Sequence, residues 1–487
     1  MTTVQAGTLG QLNDAGPAAL GAGPILSSAL VRRRWPGIAA LVVVAVGMAY
    51  SLLWGVVVQH GSRWVMPGDI WGTYRAAHYV GWGDIGDVYS PLTGLVTLPL
   101  ITVVLAPVAV LTGHLGLSES LPFFLTHPTA WLVLGPVELL IGATVLFPLD
   151  ALAEHLGVTA IRRLVLCVVE AVLVWPVVAL WGHPEDALAM TFALYGLLAA
   201  LRGKWGVSGW LWGAALATQP LVVLMLPIVF ALAPVRRWTG LALKSVIPGV
   251  TLVLVPLLQQ WQHTSRALLE QPNYPAIDHA TPWVALAPVL SPAHLGVSRH
   301  FAAVTSGGRT HFTTSLVTSR VGEVVAAGPG RLIAMALSLA IGVWVYRSRP
   351  SAKAVVWCAA LALALRCVFE SVMNPYYLWP PLAVALLVAA GTARWRFVLT
   401  TVAATAVTVY SYHHAGPWVW WLVVVALLGV AMASSRPGRP TGRGARDAVV
   451  RAGEEVDREV DLFGTGTGSD ALERGSTGHL TCRATAT

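Results

Sequence analysis

The sequence predicts an all-α polytopic membrane protein, and three observations carry that prediction. Of 487 residues, 56% are hydrophobic and 11% charged, whereas a soluble chain carries about 25% charged residues. Mean hydropathy is +0.67. The apolar residues gather into runs long enough to cross a bilayer, and short basic clusters separate the runs. A soluble enzyme, a disordered chain and a fibrous protein are excluded.

The elements follow in order. Residues 1–37 read as a cytoplasmic N-terminal segment without a cleavage pattern. Arg32, Arg33 and Arg34 precede the first apolar run, 38–58, an uncleaved span whose N-terminus is cytoplasmic. Further spans are expected at 129–149, 164–181, 184–201, 240–258, 331–346, 354–370, 377–392, 397–411 and 417–433. Helices of about 18 to 21 residues reach roughly 27–31 Å, enough for the hydrocarbon core. The clusters Arg162–Arg163, Arg202–Lys204, Arg236–Arg237, Arg347–Lys353 and Arg394–Arg396 should all face the cytoplasm. Residues 207–235 lie between two of them, so they cross twice or re-enter, and Thr218-Gln219-Pro220 suits a broken pair. Residues 95–113 must then not cross; they read as a re-entrant or interfacial hairpin. The membrane domain covers 38–433 with about 10–13 transmembrane or re-entrant helices. Its outer loops are 59–94, 259–330 and 370–377.

The tail 434–487 has eight arginines and eight acidic residues, is rich in Gly, Thr and Ser, and reads as a disordered cytoplasmic extension. The net charge of +8 therefore sits among the spans, which argues against a nucleic-acid partner. Three lysines beside 28 arginines reflect base composition of the genome. Cys167, Cys358, Cys367 and Cys482 form no Cys-x-x-Cys pair, which excludes a disulfide framework and a thiolate metal site. No internal repeat of the inverted-transporter kind is visible.

Ionisable residues collect on the segments this topology puts outside: 59–94, the His183–Asp186 turn, 259–330, and Glu370–Tyr377 with His413–His414 nearby. The first of these contains GDIWGTYRAAHYVGWGDIGDVYS, residues 68–90. Asp69 follows Pro67-Gly68, Tyr74-Arg75-Ala76-Ala77 comes next, and Asp87-Val88-Tyr89 closes the stretch. A carboxylate just outside a membrane can act as a general base, and the planar fork of Arg75 suits phosphate. The plainer reading is a solvated Asp–Arg pair.

This stretch resembles the first outer loop of glycosyltransferase family 87, in the GT-C superfamily of polytopic glycosyltransferases. Actinobacterial polyprenyl-phosphate-mannose-dependent mannosyltransferases belong to it. The resemblance implies a GT-C-like architecture with large extracytoplasmic loops, and it places Asp69 at the catalytic carboxylate. It implies a polyprenyl-phosphate sugar donor, mannose first, a lipid or glycan acceptor in the cell envelope, and Tyr74, Arg75 and Tyr89 at the substrate. The chain departs from the family at 182–188, Gly-His-Pro-Glu-Asp-Ala-Leu, where members carry Gly-Gln-x-Asn.

That departure makes His183, Glu185 and Asp186 candidate substrate residues. A helix start explains them structurally, because Pro184 suits the first turn and Glu185 and Asp186 suit the dipole. The three could also hold a divalent cation, but the first loop has no Asp-x-Asp, and no cofactor is expected. Asn374, Tyr376 and Tyr377, near Trp379, read either as an interfacial aromatic belt or as a sugar-stacking platform. Arg366 and Glu370, spaced i,i+4, read as a structural pair. In the long loop, Arg309 and His311 are candidates to reach phosphate among several solvated histidines. Glu138 and Glu170 lie inside expected spans, where a carboxylate is a functional candidate by default. Lys244 can snorkel to the surface. Two other readings stay open: a transporter or lipid flippase built on Glu138, Glu170 and the break at Gln219-Pro220, and a non-catalytic relative acting in envelope assembly.

Overall fold

The computed structural model describes residues 33–57, 64, 66–117, 129–275, 278–306, 309–325, 328–413 and 416–438. Expectations for 1–32, His414 and the tail beyond 438 fall outside the described residues, as do the side chains of Arg309 and His311. The chain is mostly helical. Among the described residues eight helices have the length and composition to cross a membrane. They make it a multi-pass membrane protein by those two criteria.

The helices are α1 (Arg34–Val57), α2 (Ile70–Trp82), α3 (Leu100–His114), α4 (Trp131–Ala143), α5 (Leu146–His155), α6 (Ala160–Trp175), α7 (Pro184–Leu201), α8 (Trp205–Thr218), α9 (Leu226–Leu232) and α10 (Trp238–Gln259). Beyond residue 325 come α11 (Pro329–Ser348), α12 (Ala352–Phe369), α13 (Trp379–Ala390), α14 (Arg394–Tyr410) and α15 (Pro417–Ser435).

Side-chain bonds show that the bundle has two chemically different ends. At one, Arg33 before α1 bonds Asp150 and Glu154 of α5, and Arg163 of α6 bonds the same Asp150 at 2.7 Å. There too Arg162 donates to Ala390 O (3.1 Å), Lys353 to Gly391 O (3.4 Å), Arg349 to Ala231 O (3.1 Å) and Arg396 to Ser434 O (2.8 Å). These arginines and lysines cap the carbonyl ends of helices, where the dipole favours cations. The other end holds Trp181–Tyr412 (3.2 Å), Gln219–Asp186 (2.8 Å) and Arg331–Glu370 (2.8 Å).

Some elements differ from the sequence expectation. The run 377–392 becomes α13, only 12 residues long and buried throughout. It opens on Pro380-Pro381 and lies inside the bundle, so it need not match the bilayer thickness. The run 397–411 becomes α14, 17 residues, outside the eight. The run 95–113 becomes helical only from Leu100, as α3 (15 residues), whose Ile101, Leu105 and Ala109 pack with Ile70 of α2 and Leu188 near the start of α7. Residues 207–235 break at Gln219: α8 reaches it, a 3-10 turn (Pro220–Met225) follows, and α9 returns toward Arg236 and Arg237.

The chain is mostly helical as expected, and most of its few strands lie in the loop 259–330. β1 (Pro272–Asn273), β3 (Val289–Ser306) and β4 (Arg309–Val325) form an antiparallel sheet in the order β1-β4-β3. β2 (His279–Ala280) pairs antiparallel with β5 (Val372–Met373), as His279↔Met373 and Ala280↔Val372. Val, Thr and Phe at alternating positions supply the β propensity that helix-sized windows overlook.

Candidate functional site

The site forms where three chain reversals meet at the end away from the basic clusters. Asp69 holds the N-cap position of α2 but makes no cap hydrogen bond. An Asp there ordinarily accepts from the helix N–H groups. Its Oδ2 instead meets Nε2 of His183 at 3.0 Å, and the carboxylate is 52% exposed. Nδ1 of His183 meets Glu185 Oε1 at 2.5 Å. Asp69, His183 and Glu185 thus form a carboxylate–imidazole–carboxylate chain that runs from the exposed surface to a buried acid.

Local backbone chemistry builds this chain. α6 ends in a wide π-turn, Pro176–Trp181, a rare conformation that is frequent at functional sites. Gly182 then takes φ +76°, and a Cβ there would lie 2.8 Å from Pro67 and 3.0 Å from the Ile70 nitrogen. Only glycine lets the α6–α7 reversal press against the Pro67–Ile70 turn. That contact brings His183 onto Asp69. Burial by itself would lower the His183 pKa, but the Glu185 carboxylate and the bond to Asp69 override it and hold the imidazole well above its usual value.

The second reversal is Gln219, whose Nε2 donates to Asp186 Oδ1 at 2.8 Å. Asp186 Oδ2 and Glu185 Oε2 are buried with no partner among the described residues. The third reversal is the β2–β5 clamp. Thr281 N donates to Ser371 O (3.1 Å), and His279 stacks on Trp420 with ring centroids 4.3 Å apart. This holds Asp278 against the Asn374 side chain. Burial, with the charge of Asp69 added, pushes the Asp278 carboxyl up to about 7, while His183 and Asn374 pull it back.

Aromatic rings wall the cluster. Tyr376 stacks face to face on His183 at 3.8 Å, Trp181 leans on Tyr376 at 5.8 Å, and Tyr377 meets Tyr376 edge-on at 4.7 Å. Behind Tyr377, Arg366 lies 3.6 Å over the ring and donates to Glu370 at 3.0 Å. Arg331 reaches the other Glu370 oxygen at 2.6 Å.

The structure therefore brings together Asp69, His183, Glu185, Asp186, Asn374, Tyr376 and Tyr377. It does not bring in the others. Tyr74 is buried and its hydroxyl bonds Thr112. The Tyr89 hydroxyl is buried against Thr97 O at 2.9 Å. Arg75 stacks on Trp71 at 3.8 Å and donates to Leu92 O at 3.0 Å, so it fastens its own loop. Arg309 and His311 sit in β4 near the hairpin turn, opposite Ser306 and Val304. β4 has 17 residues, so that turn lies on the order of 50 Å along the strand from its base. Sequence reasoning did not place Asp278 or Gln219 at the site, because the clamp and the helix break that position them are long-range contacts. Arg331 carried no sequence signal. The Arg366–Glu370 spacing did, and it marks a buried pair.

Among the described residues no group of three or more His, Cys, Asp or Glu is arranged to hold a metal ion. Comparison with protein-family models, with curated proteins and with solved structures returns no match for this chain.

Proposed function

We propose that this chain is a membrane glycosyltransferase that moves a sugar, mannose first, from a polyprenyl-phosphate donor to a lipid or glycan acceptor on the extracytoplasmic face. Asp69 acts as general base. The acceptor hydroxyl passes its proton to Asp69 Oδ1, its oxygen attacks the anomeric carbon, and the bond from that carbon to the phosphate oxygen breaks. The electron pair leaves with the phosphate, and the anomeric centre inverts. Phosphate leaves readily, so no strong acid is required, and no cofactor is invoked.

The observation that carries this reading is the Asp69–His183–Glu185 chain. His183 occupies Oδ2 of Asp69 and fixes the carboxylate, while Oδ1 has no hydrogen-bond partner among the described residues and the side chain is half exposed. Support comes also from the Tyr376 and Trp181 rings, which suit a sugar face, and from the orphaned Asp186 and Glu185 oxygens, which suit sugar hydroxyls. The site lies opposite the basic end, so the charge rule puts it outside and both termini in the cytoplasm.

The test is sugar transfer by purified wild type and Asp69→Asn from radiolabelled polyprenyl-phosphate mannose to a total lipid extract. The expected loss in the variant is about 10²- to 10⁴-fold. Equal transfer by the two would remove Asp69 from its role. A second reading, a proton-coupled transporter, draws on Glu138 and Glu170, both fully buried in the bundle. Proton-dependent flux in liposomes that survives Asp69→Asn would favour it.

A further inference from the structure

Helix register brings one more carboxyl to the site. α4 and α5 run beside α7, and the hydroxyls of Thr144 and Thr191 meet at 3.0 Å, an offset of 47 positions. The same offset recurs lower down, where the charge of Arg202 reaches His155. The helices are therefore parallel. Glu138 of α4 is level with Glu185 of α7, each about 9 Å above the threonine pair. The charges of Glu185 and His183 reach it there.

Glu138 is fully buried, and neither of its oxygens has a hydrogen-bond partner among the described residues. Glu185 Oε1 takes the His183 imidazole, while Glu185 Oε2 is likewise buried and open. Other titratable groups on the elements packed against α4 are engaged elsewhere. Tyr50 of α1 meets Trp175 edge-on at 5.0 Å, Glu170 of α6 turns to Trp379, His114 of α3 leans on Trp82 at 5.5 Å, and Asp186 of α7 accepts from Gln219. Two carboxylates side by side in an apolar interior repel, and such a pair keeps one proton. Glu185 has the imidazole to answer its charge, and Glu138 has no such partner. The proton therefore belongs on Glu138, and a protonated carboxyl donates one hydrogen bond. The open acceptor level with it is Glu185 Oε2.

We propose that Glu138 is a neutral carboxylic acid that donates to Glu185 Oε2, directly or across one water, and so holds the carboxylate that keeps His183 on Asp69. The Asp69–His183–Glu185 chain thereby gains a fourth member inside the bundle. Glu138 touches no substrate, so it is a positioning residue. Its effect on sugar transfer rests on the transferase reading; its effect on His183 does not. His183 is also faced by Asp69 before α2, Asp186 of α7, Asp278 of the β2–β5 clamp and Tyr376 before α13, all of which a change at Glu138 leaves in place. Without a donor on Oε2, the Glu185 carboxylate is a poorer counter-charge, and His183 gives up its proton at lower pH.

The test follows His183 by solid-state NMR of the full chain in liposomes, isotopically labelled at histidine nitrogen; its signal is the one lost in His183→Gln. Glu138→Met should lower the titration of His183 by about one pH unit. Glu138→Gln, whose amide still donates, should leave it where it is in wild type. A shift in both variants would mean that Glu138 acts as an anion, and a shift in neither that it is uncoupled; either overturns the proposal. An infrared difference spectrum, wild type minus Glu138→Gln, does not depend on the methionine variant folding. It should show the C=O stretch of a protonated carboxyl, and absence of that band overturns the proposal. Sugar transfer is scored alongside. Glu138→Met should lower kcat about tenfold with KM unchanged, and glutamine in its place should restore most of the rate. Equal loss in both variants, or none in Glu138→Met, overturns the positioning role. The His183 and infrared signatures without transfer by wild type keep this role for Glu138 and reject the transferase; transfer by wild type without those signatures does the reverse.

Discussion

Two carboxyls at the mouth of the site have different surroundings. Asp69 is half exposed and bonded to the His183 imidazole. Asp278 is largely buried beside that same Asp69, and its pKa rises to about 7. The sign of the stability effect follows. An aspartate in the unfolded chain titrates near 3.9, so between about pH 4 and pH 7 the folded protein binds the extra proton. Stability therefore falls as pH rises through that window, by up to about 1.4 kcal/mol per pH unit, and stays lower above it. Asp278→Asn removes the ionisable group while keeping the shape against Asn374. Thermal unfolding of the detergent-solubilised variant should show a shallower decline from pH 5 to 7 than wild type, and greater stability at pH 8. Parallel pH curves for the two would show that Asp278 titrates normally.

The reversals between elements, more than the helices, make the site. Gly182 is the most demanding of them, combining positive φ with a close approach of Pro67. Gly203 is a suitable comparison, since it has φ +69° but open space for 4 Å around the point a Cβ would occupy. Gly203→Ala should cost about 1–2 kcal/mol, the left-handed penalty alone. Gly182→Ala should cost more, with an overlap added to the strain, and should abolish sugar transfer by separating His183 from Asp69. Thermal stability of the two variants, with activity assayed on each, checks this; equal costs would mean that the Pro67 contact yields easily. The same contrast explains what was legible in the sequence. Apolar runs are local, so eight of the ten expected spans appear as long helices. His183, Glu185 and Asp186 are consecutive enough to be noticed together. The Asp278 clamp joins residue 279 to 373, and no window along the chain holds both. Tyr74 and Tyr89 were plausible from their motif, yet their hydroxyls are spent on packing α2 against α3 and fixing the loop.

The whole molecule is polarised, and that polarity decides where any chemistry occurs. Three of the basic clusters expected on the cytoplasmic side, those holding Arg162–Arg163, Arg349 with Lys353, and Arg396, are tied to helix carbonyls or to Asp150. The site residues fall at the opposite end. Asp150 is 3% exposed and holds Arg33 and Arg163 together, and both also reach the more exposed Glu154, so Asp150→Asn, which leaves Glu154 as their one carboxylate, should destabilise the protein by about 1–3 kcal/mol. The sidedness itself can be read with two single cysteines. The native Cys167, Cys358 and Cys367 are buried, and Cys482 is replaced by Ser. Ser348→Cys then marks the basic end at an exposed position at the close of α11, and Gln262→Cys marks the site end at an exposed position after α10. In intact cells a membrane-impermeant maleimide should label residue 262 and spare 348, while permeabilised cells should label both. The positive-inside bias predicts that order because the clusters flank short loops, where it acts most strongly. Labelling of 348 alone in intact cells would invert the molecule and place Asp69 in the cytoplasm, where an extracytoplasmic lipid-linked donor could not reach it. Labelling of both would mean that α10 and α11 do not separate two compartments, and the bundle would have to be threaded through the bilayer differently.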